Sequence, residues 1–99
     1  MIVNVEVNPG RIEAILTEFH RNVPTVSAES GCIEYNSTVD LKTDLPPQIP
    51  LREKTVTIVE KWESLPVLRA HFQAPHMATY RERVKDLVAR VSFQVLEPG

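Results

Sequence analysis

The sequence contains few of the residue types on which cofactor and metal motifs depend. Its 99 residues include one cysteine, Cys32, and three glycines. A single cysteine cannot close an internal disulfide, and so few glycines leave no dinucleotide-binding or phosphate-binding loop. None of the three histidines stands in a recognised metal motif with a carboxylate. We therefore expect no cofactor and no resident metal.

The sequence also has no excess of one charge and no long apolar run. Eleven basic residues are scattered among thirteen acidic ones, for a net charge of -2, which is unlike the basic patch of a nucleic-acid binder. No apolar run approaches the roughly 20 residues that span a bilayer, and the start lacks the basic and then apolar pattern of a secretory signal. We expect a soluble cytoplasmic protein with neither a nucleic-acid nor a membrane partner.

What is present is the composition of a folded protein, with 42% hydrophobic residues, and its length favours one domain over residues 1–99.

Met1–Val7 alternates in period two and predicts a strand. Apolar residues recur at helical spacing from Arg11, and Pro24 predicts a kink or a break near Val23. Cys32–Asp40 alternates again, and the proline-rich stretch that follows predicts an irregular arm.

The second half predicts two more strands with helices between them. Lys54–Trp62 is β-branched and alternating, and Ser64 can cap the helix that follows. Pro75 starts a further helix, to which we assign Leu87 and Val88, and Val91–Leu96 predicts the last strand. The order βαββαβ, with the second helix in two pieces, predicts an α+β ferredoxin-like fold in which helices cover one face of an antiparallel sheet.

The opposite face of such a sheet is expected to be apolar. If Ile2 and Ile58 face the helices, then Val3, Val5 and Val7 lie on the other side. Water would contact a large apolar patch there, so we expect a second copy to cover it in a homodimer, with the proline-rich arm reaching across.

Four segments together resemble the antibiotic biosynthesis monooxygenase family, and within it the small bacterial quinol monooxygenases. They are Val23-Pro24-Thr25-Val26, Glu29-Ser30-Gly31-Cys32 with Tyr35, Val59-Glu60-Lys61-Trp62-Glu63-Ser64, and Ala70-His71-Phe72-Gln73-Ala74-Pro75-His76-Met77. The resemblance implies a dimeric α+β barrel with a pocket between sheet and helices. It also implies oxygenation of quinols or anthrone-like aromatics by dioxygen without a prosthetic group.

Three side chains are candidates for the centre of such a site. Trp62 ends a strand, and its ring can form a wall against an aromatic substrate, or it can be a core tryptophan. Asn4 is a candidate for the same face if the strand registers permit. His71 lies on the margin of a buried helical stripe, where a neutral imidazole can accept a hydroxyl proton or simply bond the backbone.

Five further residues complete the set of candidates. Tyr80 lies one helical turn beyond His76, and its hydroxyl can orient a quinol oxygen. The plainer interpretation of Tyr80 is a core aromatic residue, and that of His76 is a surface residue at a helix start. Tyr35 can border the cavity, Phe72 can contact the substrate, and Arg81 can pair with an anionic substrate or remain a solvated arginine.

The same family includes other activities, so its fold does not choose the reaction. A non-catalytic dimer that binds or senses small molecules and an isomerase of a small carbonyl compound stay open. Haem degradation is less favoured, because the helix position that supplies an axial histidine in those relatives corresponds to Arg81.

Overall fold

A computed structural model of the protein describes residues 1–99 as an antiparallel four-stranded sheet with helices on one face. The strand order is β2-β3-β1-β4. This confirms the ferredoxin-like α+β order with its second helix in two pieces. No helix is both long and apolar enough to cross a membrane. The elements are β1 (Ile2–Val7), α1 (Ile12–Ser27), β2 (Cys32–Thr38), β3 (Thr55–Trp62), α2 (Leu65–Gln73), α3 (Pro75–Val84) and β4 (Val88–Gln94).

The first helix runs through its proline, so the predicted break near Val23 is wrong. Pro24 lacks an N–H and removes one helical hydrogen bond, yet its carbonyl still accepts the Ala28 N–H at 3.2 Å. Val26 is fully buried and anchors the last turn against the sheet. Tertiary packing therefore carries the helix to Ser27 despite the proline.

The last strand begins three residues earlier than predicted. Helix α3 ends at Val84, the Leu87 N–H bonds the Val84 carbonyl at 2.9 Å in a turn, and Val88 pairs with Val7 across the sheet. Leu87 and Val88 follow Val84 by three and four residues, which is the spacing of apolar residues along a helix. This spacing explains why they were assigned to the helix, although they lie in the turn and in β4.

The strand registers contradict the expected division of the two sheet faces. Val3 pairs with Ile58, and directly opposed residues of an antiparallel pair point to the same side. Val3, Val5 and Val7 therefore lie beneath the helices, where they are buried with Phe19 of α1. Alternation in the sequence shows which residues of one strand share a face. It does not show which residues of the neighbouring strand lie on that same face, because this depends on the register.

The open face of the sheet is mostly polar rather than apolar. Arg52, from the arm between β2 and β3, donates to Asp40 Oδ1 at 2.8 Å and to Asn4 Oδ1 at 3.1 Å. Thr57 also donates to Asn4 Oδ1, at 3.1 Å. The bonds from Arg52 hold the pKa of Asp40 at about 2, well below its usual value. This network fastens the base of the arm to the sheet.

Apolar surface is exposed elsewhere, along the edge strand and the arm. Val91 and Phe93 of β4 face the helical side, because they pair with the buried Val5 and Val3. They nevertheless stay about half exposed, at 52% and 49%, because α1 packs across β2 and β3. The other exposed apolar residues of the arm and the C-terminal segment are Val39, Leu41, Leu45, Ile49, Leu51, Val95 and Leu96.

Candidate active site

A cavity of about 530 Å³ opens at the end of β3, between the start of α2 and the last residues of the chain. Its volume lies in the range of small-molecule sites, and 6 of its 12 lining residues are hydrophobic. The lining residues include Met1, Glu60, Trp62, Leu65, Leu68 and Val95. A flat organic molecule would meet an aromatic and aliphatic wall there, together with the polar or charged residues Glu60, Lys61, Glu63, Ser64 and Glu97.

Trp62 forms one wall of this cavity and is oriented by a neighbouring carboxylate. Its indole Nε1–H donates to Glu60 Oε1 at 2.9 Å. Its ring centroid lies 4.4 Å from that of His71 on the other side. The last residue of β3 therefore stands between the cavity and a buried imidazole.

His71 is buried and held by Glu29, which precedes β2. The imidazole is 1% exposed, and its Nδ1 lies 2.7 Å from Glu29 Oε2. His76 Nε2 lies 3.0 Å from the same oxygen. Since a carboxylate oxygen only accepts hydrogen bonds, His71 Nδ1 and His76 Nε2 are both donors to Glu29. An uncharged His71 with its hydrogen on Nδ1 then carries its lone pair on Nε2. That Nε2 lies 4.0 Å from Glu60 Oε1.

Glu60 is the one carboxylate that is buried and also lines the cavity. Burial raises its pKa, against the opposing effects of the Trp62 N–H, His71 and the amino group of Met1. Trp62 occupies only Oε1, and no fully buried side-chain oxygen or nitrogen in the chain lacks a hydrogen-bond partner. Oε2 of Glu60 therefore retains contact with solvent space.

Glu29, His71 and His76 form a compact, hydrogen-bonded cluster of two imidazoles and one carboxylate. Their ligand atoms lie within 4.8 Å of one another, and two imidazoles with one carboxylate suit zinc. The three residues come from separate elements, which is why no linear motif reveals them. The same atoms already satisfy one another through two hydrogen bonds without an ion.

The two candidate tyrosines belong to the core rather than to the cavity lining. Tyr35 stacks on Phe19 at 4.7 Å and meets the edge of His71 at 5.9 Å. Tyr80 is 9% exposed, and burial raises its pKa to about 12. Burial likewise raises the pKa of Tyr35. Both phenols therefore stay protonated, and neither lines the cavity.

The three remaining candidates lie outside this constellation. Asn4 was a candidate for the same face as Trp62. It lies instead on the open face of the sheet, where it accepts hydrogen bonds from Arg52 and Thr57. The reason is the register, which pairs Asn4 with Thr57 and thereby sets it opposite to Trp62. Phe72 contacts Phe93 at 5.6 Å, and Arg81 donates to the Phe72 carbonyl at 3.0 Å.

Two important side chains, Glu29 and Glu60, are absent from the set that sequence reasoning selected. Glu60 alternates in phase with Ile58 and Trp62, a period that places a carboxylate on the buried face. Glu29 precedes Gly31, whose φ of 84° makes the turn into β2. A Cβ at Gly31 would lie 2.6 Å from Val67 Cγ1, so the glycine also lets this turn approach α2.

The thiol of Cys32 lies near the same carboxylates. Cys32 pairs with Trp62 across β2 and β3 and is half-buried. Burial raises its pKa, and the negative charges of Glu29 and Glu60 raise it further. The thiol is therefore kept protonated at the border of the site.

Comparison with protein-family models gives a match over residues 1–83 to the family described as "Antibiotic biosynthesis monooxygenase". A protein of Escherichia coli K12 named "Probable quinol monooxygenase YgiN" is 36% identical over a 101-residue alignment. That alignment covers 100% of this chain and 96% of the E. coli protein. The resemblance inferred from the four segments is thus confirmed along the whole chain.

Solved structures show the same fold at lower identity. PA3566 from Pseudomonas aeruginosa superposes with a TM-score of 0.78 at 21% identity, over 99% of this chain and 91% of that one. Rv0793 from Mycobacterium tuberculosis superposes with a TM-score of 0.70 at 21% identity, over 99% and 95%. These similarities concern the fold alone.

Proposed function

Because the chain belongs to the antibiotic biosynthesis monooxygenase family, we propose that it is a monooxygenase that acts on a quinol or a similar dihydroxyaromatic with dioxygen. The observation that carries the proposal is the full-length similarity to the E. coli protein named "Probable quinol monooxygenase YgiN". The cavity at the end of β3 supports it, since an aromatic wall beside a buried carboxylate suits a flat molecule with acidic hydroxyls.

We propose that the reaction needs no prosthetic group, because the substrate supplies the electrons. A quinol that loses a proton becomes an electron-rich anion, which can reduce dioxygen directly. In the balanced reaction one oxygen atom enters the ring, the ring is oxidised to a hydroxyquinone, and the other oxygen leaves as water with the two hydroxyl protons. The protein would then position the anion beside dioxygen and exclude bulk water.

Leu65, Leu68 and Val95 support this arrangement by lining the cavity with apolar groups. Trp62 would stack on the substrate ring, with its N–H committed to Glu60 and therefore unavailable to water. Of the sequence candidates, we keep Trp62 as a substrate-contacting residue. We treat His71 as a residue that acts through a neighbour, because it does not line the cavity.

We also propose a homodimer in the cytoplasm. The half-exposed Phe93 and Val91, with the apolar arm, offer a surface that a second copy would cover. The single unpaired Cys32 is consistent with a reducing compartment. The dimer would close the helical side of β4, which is the edge nearest to the cavity.

The test of the proposed function is oxygen consumption by metal-stripped protein with a reduced quinone. We expect a rate well above quinol autoxidation, and we expect Trp62→Ala to lower kcat/KM at least tenfold because the aromatic wall is lost. His20→Ala, an exposed histidine bonded to Ser37, is the matched control and should leave the rate unchanged.

Equal oxygen consumption with and without protein would refute the proposal. Turnover that persists without oxygen would indicate the isomerase instead. A ligand that raises Tm while no product forms would indicate a binding protein, and a shifted Soret band on haem titration would indicate haem chemistry.

A further inference from the structure

We infer that Glu60, His71 and Glu29 form a proton-accepting triad in which Glu60, rather than a histidine, takes the proton from the substrate hydroxyl. The inference rests on the proposed function and names the base that it requires. It also changes the role of His71, from the group that contacts the substrate to the group behind it.

Glu60 is the member that faces the cavity. It is 6% exposed, lines the cavity, and has one oxygen fixed by Trp62 Nε1 at 2.9 Å. Its other oxygen accepts no protein hydrogen bond and is not fully buried. A carboxylate that lines a cavity and has one oxygen without a protein donor is suited to receive a proton from a hydroxyl bound there.

His71 is the second member, and its tautomer sets the direction of transfer. Because Nδ1–H donates to Glu29 Oε2 at 2.7 Å, the basic nitrogen of the uncharged ring is Nε2, which faces Glu60 Oε1 at 4.0 Å. This separation must shorten by about 1 Å to reach hydrogen-bond distance, as is common in ligand-free sites.

Glu29 completes the triad as a positioning residue. Its Oε2 accepts from His71 and from His76, at 2.7 and 3.0 Å, so two donors fix the carboxylate that orients the ring. Once His71 is protonated, Glu29 provides the balancing negative charge. The division of roles follows the logic of a serine protease triad, with a carboxylate in the place of the nucleophile.

The proton transfer balances without an outside reactant. The substrate O–H bond breaks, its electron pair stays on the substrate oxygen, and the proton bonds to Glu60. Rotation of the protonated carboxyl group by half a turn exchanges its two oxygens and breaks the bond from Trp62 Nε1 to Oε1, so the proton can pass to His71 Nε2. Glu60 is then a carboxylate again, and an imidazolium lies between Glu60 and Glu29. The quinolate left in the cavity is the species that reacts with dioxygen.

Several charged or titratable groups face Glu60 from the elements packed around it, and they decide its pH dependence. Burial and Glu29 raise its pKa, while His71 and the Met1 amino group lower it. The other titratable neighbours are Cys32 and Tyr35 of β2 and Tyr80 of α3, and the charged residues Lys61, Glu63 and Glu97 line the same cavity.

The experiment compares Glu60→Gln, Glu29→Gln and the control His20→Ala by anaerobic mixing with a quinol, monitoring the absorbance of bound quinolate. Wild type and His20→Ala should form quinolate, and Glu60→Gln should not. In aerobic turnover Glu60→Gln should lower kcat by at least ~100-fold. Glu29→Gln should lower kcat about tenfold or more with little change in KM and shift the pH profile, because it acts through His71.

Raising the pH distinguishes a base from a structural residue. At a pH where the quinol ionises in solution, Glu60→Gln should recover most of the wild-type rate, since the substrate then arrives without its proton. Quinolate formation by Glu60→Gln at neutral pH, or loss of its activity that high pH does not restore, would overturn the triad. Wild type that forms quinolate but consumes no oxygen would instead refute only the proposed function.

Discussion

At position 60 a carboxyl group lies among aromatic rings, on the face of the sheet that the helices cover. Only one protein hydrogen bond, from Trp62, reaches its side chain, and the nearest basic group is His71 at 4.0 Å. Such burial disfavours the ionised form of Glu60. At a pH where Glu60 is ionised and can act as a base, it therefore lowers the free energy of unfolding. A functional residue is expected to show this conflict.

Glu60→Gln should therefore stabilise the protein, and more so at high pH. The folded-state pKa of Glu60 is raised above the unfolded value of about 4.3. The protonated form thus contributes stability that is complete below that unfolded value and is lost as the pH rises through the folded pKa. Glutamine does not ionise, so the Tm difference between variant and wild type should grow from pH 4 to pH 8. A difference that stays constant or shrinks would contradict the burial of an ionising carboxylate.

At the residue scale, the sequence reveals the chemical type of each side chain but not which side chains the fold brings together. Trp62 and His71 stood out as a large ring and a titratable ring, and they do lie 4.4 Å apart. Glu29 and Glu60 did not stand out, since most glutamates are solvated. Only the packing of three elements brings their carboxylates to the two ends of one imidazole.

At the scale of elements, the turn between α1 and β2 positions the site. Gly31 adopts a φ of 84° and lets the turn approach Val67 of α2, while Glu29, two residues earlier, reaches both histidines. Strand and helix periods were predictable from the alternation of apolar residues, and so was the division between α2 and α3 at Pro75. The register of β1 against β3 was not, because it depends on contacts between distant segments.

Gly31→Ala should destabilise the protein more than Gly10→Ala. Both glycines have positive φ, at 84° and 77°, but only the Cβ at Gly31 meets a side chain, at 2.6 Å from Val67 Cγ1. We expect a loss of about 1 kcal/mol for the backbone conformation at either position, and a further ~1–3 kcal/mol for overpacking at Gly31 alone. Urea denaturation measures both variants. Equal losses would show that α2 does not constrain the turn.

At the scale of the whole molecule, the layers leave one edge of the sheet uncovered. Phe93 and Val91 face the helical side of β4, where α1 does not reach. The prediction of a bare apolar sheet face was wrong, because the face opposite to the helices carries the polar network around Arg52. Burial by a second copy, which we still propose, would therefore involve the β4 edge and the arm more than the sheet face.

The assembly is tested by sedimentation equilibrium at several protein concentrations. We expect wild type to be a dimer and Phe93→Glu to be largely monomeric, because a charge in an apolar interface is costly. Arg21→Ala, at an exposed position on α1, is the control and should remain dimeric. A monomeric wild type, or a dimeric Phe93→Glu variant, would count against an interface at this edge.

The carboxylates that surround the imidazole have a further chemical effect on their neighbour Cys32. Quinones are electrophiles, and they add to cysteine as the thiolate rather than the thiol. Because burial, Glu29 and Glu60 all raise the pKa of Cys32, its sulfur remains protonated. If the product is the hydroxyquinone that we propose, the single thiol, which pairs with Trp62 across β2 and β3, would in this way avoid being arylated.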